Sequence, residues 1–97
     1  MTLETIRETR RQIGMTLDPH TAVGLAAARQ KASADTPMVT LATAHPAKFP
    51  DAVREATGVE TPLPERMADL YERPERMTVL PNDLAAIENF IRKEAAA

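Results

Sequence analysis

The chain of 97 residues contains no cysteine and no tryptophan, and its only aromatic side chains are Phe49, Tyr71 and Phe90. Without cysteine, neither a disulfide framework nor a thiolate metal centre can form, and no metal ligands are assigned. No apolar run reaches the roughly 18 residues a membrane span needs, and the N-terminus lacks the apolar segment of a signal peptide. There is no basic stripe. The net charge is −2 with a pI near 5.6, and charges of both signs are interspersed, so nucleic acid is not an expected partner. Only three glycines occur, at 14, 24 and 58, too scattered to form a phosphate-cradling loop. These absences leave a soluble, cytoplasmic protein without a membrane or nucleic-acid role as the expectation.

What is there is alanine. Apolar residues make up 43% of the chain, yet many are alanines, which bury little area each. A core built from them is thin and suits a chain that packs against something else. Residues 1–97 read as one small domain or a piece of a larger one, with no internal boundary or repeat.

Helical periodicity places a charged helix from about Thr2 to Ile13, with Gly14 as its stop. Its Arg7, Arg10 and Arg11 are offset by Glu4 and Glu8, so this reads as a solvated face, not an anion site. Asp18-Pro19 starts a second helix running to about Lys31, through Ala22, Gly24 and Ala26, whose small residues permit close approach. Met38 to Ala42 is a short apolar run with β-branched Val39 and Thr40, which predicts a buried strand. Phe49, Ala52, Val53 and Ala56 predict a helix from Pro50 to Gly58. Leu63, Met67, Leu70 and Tyr71 predict another short apolar helix before Pro74, and residues 77–80 an extended stretch. Asn82 or Asp83 caps a last helix carrying Leu84, Ile87, Phe90 and Ile91. One strand among four or five helices cannot form a sheet, so its partners must come from elsewhere.

The turn after the expected strand, Thr43-Ala44-His45-Pro46-Ala47-Lys48-Phe49, gathers a hydroxyl, an imidazole and an ammonium group where open α/β sheets keep their ligands. Taken alone, Thr43 reads as a turn or cap residue. His45 can move a proton or hydrogen-bond backbone in the turn, and Lys48 can hold a phosphate as a point charge. In the first turn of the second helix, His20 and Thr21 either receive an anion or cap the helix end.

Thr43 to Phe49 and the upstream Leu17-Asp18-Pro19-His20-Thr21-Ala22-Val23-Gly24 together resemble two signature segments of threonine synthases, in the family's order. The resemblance runs through nearly all of this chain but covers only the C-terminal part of the family's. It implies an α/β, helix-rich C-terminal fragment of a fold-type II pyridoxal-phosphate enzyme (the tryptophan-synthase β type), with a parallel-type strand at about 38–42. It further implies a lyase of threonine biosynthesis, turning O-phospho-L-homoserine and water into L-threonine and phosphate with pyridoxal 5'-phosphate as cofactor.

By the same resemblance, the Thr43 hydroxyl binds the cofactor's pyridine nitrogen. A lone hydroxyl, unlike a carboxylate, is not expected to hold that nitrogen protonated. His45, Lys48, His20 and Thr21 fall at the edge of the site. No catalytic residue is expected in this segment. The Schiff-base lysine and the glycine cradle belong to the missing N-terminal part of the chain, so the segment alone is expected to be inactive and open to self-association. A dehydratase-like enzyme of the same fold type, or a non-catalytic interaction module, would be the alternatives.

Overall fold

A computed structural model describes residues 1–96 as four α-helices and three single-turn 3-10 segments. The helices are α1 (Thr2–Ile13), α2 (Pro19–Lys31), α3 (Pro50–Thr57) and α4 (Leu84–Ala95). The 3-10 segments span Pro46–Lys48, Glu65–Met67 and Leu70–Glu72.

Local chemistry accounts for the helix ends. Gly14 and Gly58 sit at φ 72° and 71°, the left-handed region that costs glycine nothing, and their N–H groups close α1 on Arg10 O and α3 on Arg54 O. Asp18 caps α2, with Pro19 in the first helical position where its missing N–H is harmless. Asp83 caps α4 by accepting from Ala86 N at 2.8 Å.

Helix α1 packs across both α2 and α3. The core they enclose holds Ile6, Leu17, Ala22 and Ala56, with Leu3 and Leu25 against it. Arg7 Nε ties α1 to α3 by donating to Ala56 O at 3.1 Å, and Arg29 reaches Glu8 at 3.6 Å between α2 and α1. The members that α2 and α3 contribute are alanines, Ala22 and Ala56, which bury little apolar surface each, so this core is as thin as the composition suggests.

The rest of the chain lies outside it. The Cα radius of gyration is 18.7 Å, against about 12.5 Å for a compact domain of this length. Among the described residues α4 has no extensive packing partner; its Leu84 and Ile91 are largely exposed. No described helix is long and apolar enough to cross a membrane.

All regular structure among the described residues is helical: residues 38–42 are not paired as a strand here, 77–80 form neither helix nor paired strand, and one expected helix is corrected. A strand is defined and held by the ladder of a neighbouring strand, and no described segment supplies one. Val39 and Leu41 are accordingly both 78% exposed. The helix expected over 63–71 is instead two separate 3-10 turns. The interval between Pro64 and Pro74 is too short to repay helix nucleation without a packed face.

The α2 glycine performs as its position implies. A Cβ at Gly24 would stand 3.4 Å from Thr40 Cγ2, so the uncovered 38–42 segment runs directly over α2. That path delivers Thr43 to the start of α2.

Candidate functional site

Asp18 is the centre of the site. Its carboxylate is 1% exposed and accepts from the backbone N–H of His20 at 2.9 Å and of Thr21 at 3.2 Å. The Thr21 hydroxyl donates to its other oxygen. Burial would raise the carboxyl's pKa, but the Thr21 hydroxyl and the N–H groups of Thr21, His20 and Ala44 together outweigh it and hold Asp18 below the usual carboxylate range. Asp18 is therefore an ionised, acceptor-only group.

Thr21, also buried, passes this anchoring on. Its Oγ1 accepts from the backbone N–H of Thr43 at 3.0 Å. The Thr43 hydroxyl lies 3.4 Å from both Asp18 Oδ1 and Thr21 Oγ1, long contacts beside that shorter bond. The first turn of α2 thus holds Thr43 in place across 22 residues of sequence.

Thr43 and His45 sit on the shared border of two cavities. The larger, of about 510 Å³, is walled by Thr43, His45 and Lys48 on one side and by Leu63, Arg66 and Tyr71 of the 3-10 region on the other. The second, of about 390 Å³, includes Asp18, Thr21, Thr43 and His45. The larger volume lies in the range of small-molecule sites.

His45 has a structural duty as well. Its Nδ1 accepts from Ala47 N at 3.2 Å and caps the 3-10 turn Pro46–Lys48. This role needs an unprotonated Nδ1. Lys48 places its Nζ 5.8 Å from the Phe49 ring centre, a cation–π distance. The His20 ring tilts at 53° on the other partner of that contact, 4.8 Å from Phe49, and its Nδ1 is 3.5 Å from Asp18.

The structure therefore brings Thr21, Thr43, His45 and Lys48 together. His20 lines neither cavity; its ring is tilted on Phe49 and its backbone N–H is held by Asp18. Asp18 and Arg66 were missed as site residues. Asp18 was legible only as a helix cap, because the cap and the site use the same two oxygens. Arg66 carries no local signal, being one charged residue in a proline-framed loop. Among the described residues no cluster of three or more His, Asp or Glu could hold a metal.

The family model described as "Threonine synthase, C-terminal" matches residues 21–91. The threonine synthase of Pseudomonas aeruginosa is 55% identical over 92 residues, covering 93% of this chain and 20% of the relative. That of Escherichia coli is 34% identical over 90 residues, again covering 93% of this chain and 21% of the relative. The crystal structure of PLP-bound threonine synthase from Brucella melitensis superposes with a TM-score of 0.77 at 51% identity, covering 99% of this chain and 21% of that one. The chain thus spans about a fifth of the length of the relatives it matches. The family match covers both the Thr21 anchor and the Thr43 turn it holds, and the chain belongs to the threonine synthase family, corresponding to its C-terminal part.

Proposed function

We propose that residues 1–97 are a single C-terminal segment of a cytoplasmic threonine synthase that converts O-phospho-L-homoserine and water to L-threonine and phosphate, with pyridoxal phosphate as cofactor. Thr43 is the cofactor-binding residue of this segment. The observation that carries the reading is the tie from Thr43 N–H to Thr21 Oγ1 at 3.0 Å, which holds an exposed hydroxyl at the edge of a ligand-sized cavity.

The residues present fit such a group. The cavity joins apolar walls from Leu63 and Met67 to a hydroxyl at Thr43 and cations at Lys48 and Arg66. That donor set suits a planar heteroaromatic ring and an anionic substrate. When bound, pyridoxal phosphate supplies the electron sink that stabilises negative charge at the substrate's reacting carbons. Thr43 orients the ring through its nitrogen. Lys48 and Arg66 raise the local concentration of a phosphomonoester at the cavity mouth. His45 and Thr21 edge the site, whereas His20 supports it through Phe49. The lysine that carries the cofactor belongs to the remainder of the chain, so this segment by itself is inactive.

The same remainder supplies strands to residues 38–42, which then become a parallel strand of the fold-type II sheet. The exposed Val39 and Leu41 support this. A dehydratase-like enzyme or a non-catalytic module has no observation in its favour, whereas synthases at 55% and 51% identity favour the present reading.

In the full-length enzyme, Thr43→Ala is expected to weaken cofactor affinity about tenfold, the equivalent of one hydrogen bond to a ring nitrogen, and to slow turnover. Cofactor titration and steady-state kinetics measure both. Unchanged affinity and rate would remove Thr43 from the site.

A further inference from the structure

We infer that His45 is a positioning residue: its imidazole, fixed as the neutral tautomer with the hydrogen on Nε2, locks the turn that carries Thr43 and gives the site a hydrogen-bond donor, not a base. This rests on the reading that Thr43 meets the cofactor, and it chooses between the two roles that the sequence leaves open to this histidine.

Thr43 is held from two sides. Upstream, Thr21 Oγ1 takes the Thr43 N–H at 3.0 Å, and the next N–H, that of Ala44, bonds Asp18. Downstream lies the 3-10 turn Pro46–Lys48, where Pro46 has no N–H to give. His45 closes that turn twice. Its backbone carbonyl accepts from Lys48 N at 3.0 Å, and its ring Nδ1 accepts from Ala47 N at 3.2 Å.

The second bond decides the chemistry of the ring. A backbone N–H can only donate, so Nδ1 must present a lone pair to it. A neutral imidazole has one ring N–H, which therefore sits on Nε2. His45 is exposed and borders both cavities, so that hydrogen is what the ring offers the site. Neither nitrogen remains to take a proton from a substrate. Nδ1 is engaged by Ala47 and Nε2 already carries its hydrogen, whereas a general base needs a free lone pair within reach.

One substitution separates the two roles. In His45→Asn the side-chain Oδ1 stands as many bonds from the backbone as Nδ1 does, and asparagine readily bonds the N–H two residues on. The lock on the turn is kept while the proton chemistry is removed. His45→Ala removes both.

The test uses full-length enzyme carrying 15N-labelled histidine, at mildly alkaline pH. The His45 resonances, identified by their loss in His45→Asn, are expected in the pattern of the Nε2–H tautomer, with Nδ1 at the downfield position of a bare nitrogen. The Nδ1–H pattern, or averaging between the two tautomers, overturns the inference. His45→Ala is expected to weaken cofactor affinity about fivefold, the weight of one hydrogen bond. His45→Asn is expected to restore that affinity with turnover close to wild type. A fall in its kcat of about a hundredfold or more is the mark of a lost acid or base and overturns the inference. In a Thr43→Ala background, His45→Ala is expected to lower cofactor affinity no further, because the turn then has no hydroxyl to place; a full additional loss overturns the positioning role. If neither Thr43→Ala nor His45→Ala changes cofactor affinity, the ring does not meet Thr43, and the proposed site falls together with this inference. If Thr43→Ala weakens binding and His45→Ala does not, only the role of His45 falls.

Discussion

The backbone N–H of Thr43 donates to the side-chain oxygen of Thr21, 3.0 Å away and 22 residues earlier in the chain. Through this bond a helix start and a distant turn become one unit, and the same threonine that completes the Asp18 cap places the site hydroxyl.

Thr21→Val keeps the shape of the side chain but removes the oxygen that serves Asp18 and Thr43 at once. It leaves a backbone N–H without its partner, at a cost of about 1–3 kcal/mol. Denaturant unfolding of the full-length enzyme should show that loss, with cofactor affinity falling alongside it. A loss of stability at unchanged affinity would mean that Thr21 only holds the helix end.

The lowered pKa of Asp18 sets a pH dependence with a definite sign. A group with a depressed folded-state pKa contributes stability that is present above its unfolded value, about 3.9, and is lost as pH falls through the folded value. Stability of the wild type should therefore decline below about pH 4 more steeply than that of Asp18→Asn, which has no proton to take up there. Parallel acid-unfolding profiles for the two proteins would contradict it.

Thr9 is almost fully buried on α1, and its hydroxyl finds no hydrogen-bond partner among the described residues. Thr9→Val replaces that hydroxyl with a methyl group of the same size and should raise stability by about 1 kcal/mol, since the desolvation cost of an unpaired hydroxyl is removed. A decrease on thermal or chemical unfolding would show that the hydroxyl has a partner in the complete enzyme.

Residues 1–97 produced alone should self-associate. Val39, Leu41, Val79 and Leu84 are each more than 70% exposed, and an uncovered apolar segment with free backbone groups seeks another chain. Sedimentation velocity should show species larger than a monomer, reduced by Val39→Lys with Leu41→Lys. A monodisperse monomer at high concentration would contradict this.

The helices were legible in the sequence because their ends are written in local chemistry. Asp18-Pro19, Gly14, Gly58 and Asp83 each satisfy or release backbone groups within a few residues of themselves. The segment 38–42 was not legible in the same way. Val39 and Thr40 record a preference for extended backbone, but a strand depends on a neighbour whose position no local pattern records. Thr43, His45 and Lys48 were visible as one turn. The place of Asp18 beside Thr43 was hidden because a capping aspartate looks the same whether or not a distant hydroxyl lies near it. The 3-10 turns at 65–67 and 70–72 show the opposite error. Their apolar spacing promised a helix, but an interval this short between Pro64 and Pro74 has no packed face to offset nucleation.

The two sides of the larger cavity are built differently. Thr43 is bonded to the buried start of α2, while Leu63, Arg66 and Tyr71 come from proline-bounded turns that contribute nothing to the three-helix core. Substitutions in residues 62–74 are therefore expected to leave the tie between Thr43 N–H and Thr21 Oγ1 undisturbed. Under the proposed function, substrate preference is expected to change by mutation of this wall while the anchored Thr43 stays in place. For directed evolution, that stretch is the place to put the library.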